Sequence, residues 1–141
     1  MATDYADLAR RFYKEVMDNG NIEAVDDFCA ADYLDHSIKP EMGLTPDREG
    51  LKGYVRMYLD AFSGLRVDVE DVLVEGNKAA VRTTFHGTHT GAFMGIEPTG
   101  KHITYESIDM VRFKGDKAVE HWGWGDDAGL LMTLGVLPPL G

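Results

Sequence analysis

Hydrophobic residues repeat at helical spacing in the first half of the chain. A stripe from Tyr5 to Val16, at three- and four-residue intervals, predicts an amphipathic helix that ends at Gly20. A short helix is predicted over residues 21–28, and a third stripe runs from Leu51 to Phe62. Residues 32–50 have no period and are rich in Gly, Pro, Thr and Asp, which indicates a long loop.

The period changes to two from Leu65 onward, where apolar and charged residues alternate as in a half-buried strand. The alternation shifts phase near Glu70 or Asp71, which predicts a β-bulge. Gly76-Asn77 is typical of a hairpin turn. The elements predicted after it are a strand over 79–85, a glycine-rich excursion over 86–100, strands over 102–113 and 117–124, and a helix over 126–134.

A run of helices followed by a run of hairpin strands indicates an α+β fold with an antiparallel sheet. Such a sheet, with helices on one face, can curl around a space, and concavities of this kind hold small molecules. We therefore expect one α+β domain over residues 1–141, with a central pocket for a small hydrophobic molecule.

Charge and cysteine content narrow the possible partners. The formal net charge is −10, which argues against nucleic acid and against anionic membranes, because both favour Lys and Arg. Cys29 is the single cysteine, so no internal disulfide and no structural zinc site are expected. The N-terminal residues contain no long apolar stretch, so we expect neither a signal peptide nor a membrane span, and a cytoplasmic location.

One carboxylate lies on the apolar face of the strand over 102–113. A carboxylate there is costly unless it is paired or lies in a cavity, and burial should raise its pKa toward a range suited to acid/base chemistry. Asp109 is therefore either a pocket residue or a structural partner of a nearby histidine or hydroxyl. The residues of this predicted inner face are Ile103, Tyr105, Ser107, Asp109, Val111 and Phe113.

The register with the next strand places a histidine near this carboxylate. A three-residue loop over 115–117 keeps apolar partners on one face, whereas a two-residue loop does not. It pairs Phe113 with Val119, Val111 with His121, and Asp109 with Gly123.

Asp109 and His121 are then diagonal neighbours, close enough to share a proton and, we expect, to line a common cavity. Gly123 would leave a gap beside Asp109 that a ligand could fill, although a glycine can also mark a bulge.

Further polar and aromatic residues have both functional and structural interpretations. Asp126 or Asp127 caps the last helix, and the other could reach the pocket mouth. Trp122 could stack on a planar ligand, or it could pack against the helices or a second subunit. Asp35 and His36 form a ligand-binding pair or a local hydrogen bond.

Several stretches resemble the SnoaL-like polyketide cyclases, also called ester cyclases. They are FHGTHTGAFMGIEPTGKHITYESIDMVRFKGDKAVEHW, the following DDAGLLMTLG, and the early DYLDH, and the resemblance covers nearly the whole chain. It implies an NTF2-like cone, a homodimer, and intramolecular aldol chemistry without metal or cofactor. In that chemistry an aspartate removes a proton from a carbon flanked by carbonyls. Some relatives are implicated in hydroxylation.

The sequence departs from this family at the acid/base aspartate. In the cyclases that aspartate occupies the position of Gly123, and the residue facing it, here Asp109, is often histidine. We hypothesise that the carboxylate has crossed to the neighbouring strand, beside His121. The resemblance also places Asp35 and His89 near the pocket.

The sequence thus favours a cyclase-type enzyme acting by proton abstraction next to a carbonyl. The alternatives are an NTF2-like module that binds a small molecule without changing it, a scaffold with a filled core, and a hydroxylase-type relative. Dimerisation would cover the apolar outer face of the sheet, which carries Ile108, Met110, Trp122 and Trp124. The candidate catalytic residues are Asp109 and His121, and the candidate substrate-binding residues are Asp35, His36, His89, Tyr105, Trp122 and Asp126.

Overall fold

Apart from one edge strand and the last helix, the helices precede the strands along the chain, as the hydrophobic pattern predicts. The computed structural model describes residues 3–139. Asp4 caps the first helix by accepting a hydrogen bond from the amide of Asp7. The helices are α1 (Tyr5–Phe12), which continues as a π-helix (Tyr13–Asp18), then α2 (Val25–Phe28), α3 (Arg48–Ala61) and α4 (Asp127–Thr133), with short 3₁₀ turns at Ile22–Ala24 and Pro40–Met42.

Five strands form one curved sheet in the order β1-β5-β4-β3-β2. Strands β2 to β5 pair antiparallel, and the predicted α+β architecture is confirmed. The predicted bulge in β2 is also confirmed, because the register shifts between Val69 and Asp71. The strands are β1 (Cys29–Asp35), β2 (Phe62–Glu75), β3 (Lys78–His89), β4 (His102–Lys114) and β5 (Lys117–Gly125).

Strand β1 corrects the prediction of a loop over residues 32–50. It forms the edge of the sheet and runs parallel to β5, with Asp35 paired to His121. Its register is irregular between Cys29 and Leu34, so the strand carries little of the regular alternation that marks a strand in sequence. The parallel pairing brings the DYLDH segment beside the candidate site.

The turn between β4 and β5 also differs from the prediction, although the register at the site does not. Lys114 pairs with Lys117 across a two-residue turn, and a bulge between Arg112 and Phe113 restores the phase. Phe113 consequently pairs with Ala118 and not, as predicted, with Val119. Beyond the bulge, Val111 pairs with His121 and Asp109 with Gly123, as predicted.

The core lies between the helices and the inner face of the sheet. Val55 and Ala61 of α3 and Val81 of β3 are among its most deeply buried residues. Strand β4 shows the predicted alternation, since Ile103, Tyr105 and Asp109 are buried while the residues between them are more exposed. No helix within residues 3–139 combines the length and apolarity that a membrane crossing requires.

Candidate active site

A small cavity of about 60 Å³ lies between α1 and the β1–β5–β4 side of the sheet. Its wall is mainly apolar and includes Phe12, Phe28 and Phe113. The only titratable oxygen and nitrogen groups in the lining, within residues 3–139, belong to Tyr13, Tyr33 and His121. The cavity is therefore an apolar space with polar groups at a few defined points.

His121 bridges two buried carboxylates. Its Nε2 lies 2.9 Å from Asp109 Oδ1, and its Nδ1 lies 2.9 Å from Asp35 Oδ1. The predicted contact between Asp109 and His121 is confirmed by this geometry. We expected both residues to line the cavity, but His121 does so and Asp109 does not, because it lies one hydrogen bond behind the wall.

The edge strand β1 supplies the second carboxylate. Asp35 is only 1% exposed and accepts hydrogen bonds from the Tyr33 hydroxyl at 2.7 Å and the Ser37 hydroxyl at 2.5 Å. The Ser37 backbone amide also donates to it, at 3.0 Å. Asp35 therefore holds His121 from the side opposite Asp109.

Tyr13 completes the arrangement and was not among the candidates found in the sequence. It is the first residue of the π-helix, and its hydroxyl donates to Asp109 Oδ2 at 2.7 Å. The signal was present, because Tyr13 lies four residues after Ala9 on the buried side of the helix. A buried tyrosine on an apolar stripe gives no indication of a carboxylate partner that is 96 residues away.

The site favours a charged histidine. Burial alone would lower the pKa of His121, but hydrogen bonds with Asp109 and Asp35 and the attraction of their charges raise it to about 10. Burial would raise the pKa of Asp35, yet bonds from His121, Ser37 and Tyr33 leave it below its ordinary value. At neutral pH, His121 therefore donates both N–H groups as an imidazolium.

The two tyrosines remain protonated. Burial, followed by the nearby charge of Asp109, raises the pKa of Tyr13 well above its usual value. Burial and the charge of Asp35 have the same effect on the pKa of Tyr33. Both phenols are therefore hydrogen-bond donors throughout the neutral pH range.

Gly123 makes room for the pair and not for a ligand. A Cβ at this position would lie 2.6 Å from Asp109 Oδ1 and 3.1 Å from His121 Cε1. The gap that we expected beside Asp109 is thus occupied by the side chains of Asp109 and His121 themselves. The Asp109 carboxylate reaches the space into which a side chain from position 123 would project.

Two of the substrate-binding candidates lie on the outer face of the sheet. The rings of His36 and Trp122 stack with their centroids 4.9 Å apart, and His36 Nε2 lies 2.7 Å from Glu120 Oε2. His36 follows Asp35, and Trp122 follows His121, so alternation turns both away from the cavity. Neither side chain belongs to the hydrogen-bonded arrangement around His121.

The other three candidates have partners of their own away from the cavity wall. Asp126 caps α4 by accepting from the Gly129 amide at 3.0 Å, and Tyr105 donates to Asp127 at 2.6 Å. His89 is fully buried, and its Nδ1 accepts from the Thr99 amide at 3.1 Å. Of the six substrate-binding candidates, only Asp35 belongs to the hydrogen-bonded site.

Within residues 3–139, no group of three or more His, Cys, Asp or Glu side chains is arranged to hold a metal ion.

Comparison with known proteins supplies the context for this site. A sequence model of the SnoaL-like polyketide cyclase family matches residues 7–134. Aklanonic acid methyl ester cyclase of Streptomyces peucetius is 28% identical over 131 residues, covering 92% of this chain and 89% of that relative. Nogalonic acid methyl ester cyclase of Streptomyces nogalater is 26% identical over 120 residues, covering 82% of this chain and 87% of that relative.

The fold likeness covers almost the entire chain. The solved structure of TsrD from Streptomyces laurentii superposes with a TM-score of 0.85 at 26% identity, covering 96% of this chain and 100% of that one. The region matched by the family model includes the whole hydrogen-bonded site, from Tyr13 to His121.

Proposed function

Because the chain belongs to the SnoaL-like polyketide cyclase family, we propose that it closes a ring in an aromatic polyketide ester by intramolecular aldol condensation. The observation that carries this proposal is the buried Asp35–His121–Asp109 arrangement at the wall of an apolar cavity. The two relatives are named as cyclases of aklanonic acid methyl ester and nogalonic acid methyl ester, so a neutral ester of this type is the proposed substrate class.

Asp109 is the proposed general base. Its Oδ2 accepts the Tyr13 hydroxyl proton in the unliganded protein, and Tyr13 faces the cavity. When a substrate carbonyl enters, the Tyr13 O–H turns to its oxygen, and Oδ2 becomes free to accept the proton from the adjacent carbon. Tyr13 then stabilises the enolate by hydrogen bonding, which is the general role of a donor aimed at developing negative charge.

His121 and Asp35 position the base. The imidazolium holds Asp109 Oδ1 at 2.9 Å, so the carboxylate cannot rotate away when Tyr13 releases Oδ2. Asp35, buried and bonded to three side chains, fixes the imidazole ring in turn. A base held in this way keeps its orientation while the proton is transferred.

Asp109 replaces the aspartate that the family cyclases carry at position 123. Its Oδ1 lies 2.6 Å from the place of a Cβ at that position, so a carboxylate occupies nearly the same space from the opposite strand. We infer that the acid/base function has been kept while its sequence position has changed.

Substrate binding requires the cavity to widen. A space of about 60 Å³ holds only a few water molecules, whereas sites for drug-sized ligands are typically about 300–1,000 Å³. The wall formed by α1 is the movable element we propose, because a π-helix follows it directly and such segments often accompany functional sites.

A non-catalytic small-molecule-binding protein is the second candidate. It is favoured by one observation, the position of Asp109 behind the cavity wall and not in it. Such a protein would bind the same ester and return it unchanged.

The outer face of the sheet supports a proposed homodimer. Ile108 is 54% exposed, Met110 40% and Trp124 71%, and these three residues lie on one side of neighbouring strands β4 and β5. Large exposed apolar patches usually mark interaction surfaces. A second copy of the chain is the partner that the family resemblance favours.

Incubation with aklanonic acid methyl ester tests the proposed activity. We expect ring closure by the wild-type protein, and we expect Asp109→Asn to lower the rate by about 10²–10⁴-fold, the usual contribution of a general base. Binding without turnover by the wild-type protein would support the second candidate and contradict the first.

A double variant tests whether the acid/base carboxylate has moved from position 123 to position 109. The double variant Asp109→His with Gly123→Asp restores the arrangement of the family cyclases, and it should recover activity that Asp109→Asn loses. Full activity of Asp109→Asn would show that Asp109 is not the general base.

A further inference from the structure

A chain of four hydrogen bonds has a tyrosine hydroxyl at each end. It runs from Tyr13 to Asp109, then to His121, then to Asp35, and ends at Tyr33, with distances of 2.7, 2.9, 2.9 and 2.7 Å. Tyr13, His121 and Tyr33 line the cavity, whereas the two carboxylates lie behind it. The site is thus nearly symmetric about His121, and a ligand can meet a phenol at either end.

An aldol ring closure requires proton transfer at two different places on the substrate. One proton leaves the carbon next to a carbonyl, and another must reach the alkoxide that forms when the new C–C bond is made. The carboxylate of Asp109, beside Tyr13, accepts the proton that leaves the carbon. The second place lies at the acceptor carbonyl, which is a different part of the substrate.

We propose that Tyr33 is the general acid that protonates the alkoxide formed on ring closure. This inference rests on the proposed function and adds a further catalytic residue to it. Tyr33 faces the cavity, and its hydroxyl is connected through Asp35 to the proton on His121 Nδ1.

Each proton and each electron pair in this reaction has a defined donor and acceptor. Asp109 takes the proton from the carbon, and the C–H electron pair forms the enolate. The enolate carbon bonds to the acceptor carbonyl carbon, whose π pair moves to oxygen. That alkoxide takes the Tyr33 proton, and the phenolate regains a proton from His121 through Asp35. Asp109 then releases its proton to water, and water returns one proton to His121, which restores the starting state with no net gain or loss of protons.

Tyr33 can act in this way because Asp35 does not depend on it alone. Ser37 supplies two further hydrogen bonds to Asp35, one from its hydroxyl and one from its amide. The Tyr33 hydroxyl can therefore turn toward the ligand while Asp35 remains in place. Tyr13 has the corresponding freedom at Asp109, whose other oxygen is held by His121.

Two assays separate the two proton transfers. The first follows deuterium incorporation by NMR into an aryl β-keto methyl ester that lacks an acceptor carbonyl, measured above the uncatalysed rate. The second follows ring closure of aklanonic acid methyl ester. The variants are Tyr33→Phe and, as a matched control, Tyr58→Phe, which removes another buried hydroxyl, paired with Tyr54 at 3.2 Å and outside the cavity wall.

We expect Tyr33→Phe to exchange deuterium at nearly the wild-type rate and to lose ring closure by about 10²-fold or more, the scale of a general acid. Tyr58→Phe should match the wild type in both assays. Retained exchange also shows that Tyr33→Phe is folded.

Ring closure by Tyr33→Phe at the wild-type rate would overturn the inference while leaving the proposed function intact. Equal losses in both assays would overturn it too, because they would indicate that Tyr33 only supports Asp35. Absence of exchange and of ring closure in the wild-type protein would instead refute the proposed function, and the inference with it.

Discussion

Gly123→Ala tests whether glycine is required by the Asp109–His121 contact. The new Cβ would lie 2.6 Å from Asp109 Oδ1, which would have to retreat to at least 3.4 Å for an ordinary contact. The bond from His121 to that oxygen, 2.9 Å long, would break or distort.

The magnitude follows from two opposing terms. Loss of a hydrogen bond between charged groups costs about 1.5–3 kcal/mol. Alanine is favoured over glycine within a strand by about 0.5–1 kcal/mol. We therefore expect Gly123→Ala to lower the free energy of unfolding by about 1–2 kcal/mol.

Urea unfolding, followed by tryptophan fluorescence, measures this change. The matched control is the same substitution in an Asp109→Ala background, where the clashing oxygen is absent. There we expect Gly123→Ala to raise the free energy of unfolding by about 0.5–1 kcal/mol, the preference for alanine in a strand that the clash otherwise outweighs. Equal destabilisation in both backgrounds would refute the argument, because the glycine would then serve the backbone and not Asp109.

Two further predictions concern the charge on His121 and the outer face of the sheet. Since the pKa of His121 rises from 6.5 to about 10 on folding, its contribution to stability is complete below pH 6.5 and declines up to about pH 10. The urea midpoint should fall from pH 6 to pH 10 in the wild-type protein and should change less in His121→Gln. Parallel curves for the two proteins would show that the titration of His121 is not the cause. Trp124→Glu should convert a dimer to a monomer in sedimentation velocity, whereas Val136→Glu, a comparably exposed apolar position outside the sheet, should not. A wild-type monomer at micromolar concentration would disprove the dimer.

The half of the site on β4 and β5 could be predicted because long antiparallel strands carry a strict alternation. Asp109 was conspicuous as a carboxylate on an apolar face, and pairing of apolar positions then located His121. The turn length was predicted incorrectly, yet the pairing at the site was correct. The bulge between Arg112 and Phe113 compensates for the shorter turn by one residue.

The other half of the site could not be predicted, because it depends on contacts that no local pattern encodes. Strand β1 is a parallel edge strand with an irregular register, and its buried positions do not alternate regularly. Asp35 was a candidate, but its place beside His121 follows only from that parallel pairing. Tyr13 and Tyr33 are aromatic residues at buried positions, and this pattern is satisfied equally well by ordinary core packing.

The parallel pairing of β1 with β5 also determines when the site can form during folding. Asp35 and His121 are separated by 86 residues, and Tyr13 and Asp109 by 96, so two of the four hydrogen bonds that join the tyrosines through His121 close long loops. Contacts of such high sequence separation form slowly, because the entropy of loop closure is lost before they are made. A nascent chain cannot complete the site until β5 has been synthesised. We therefore expect the pairing of Asp35 with His121 to form late in folding, after the β2–β3 and β4–β5 hairpins, which close through two-residue turns.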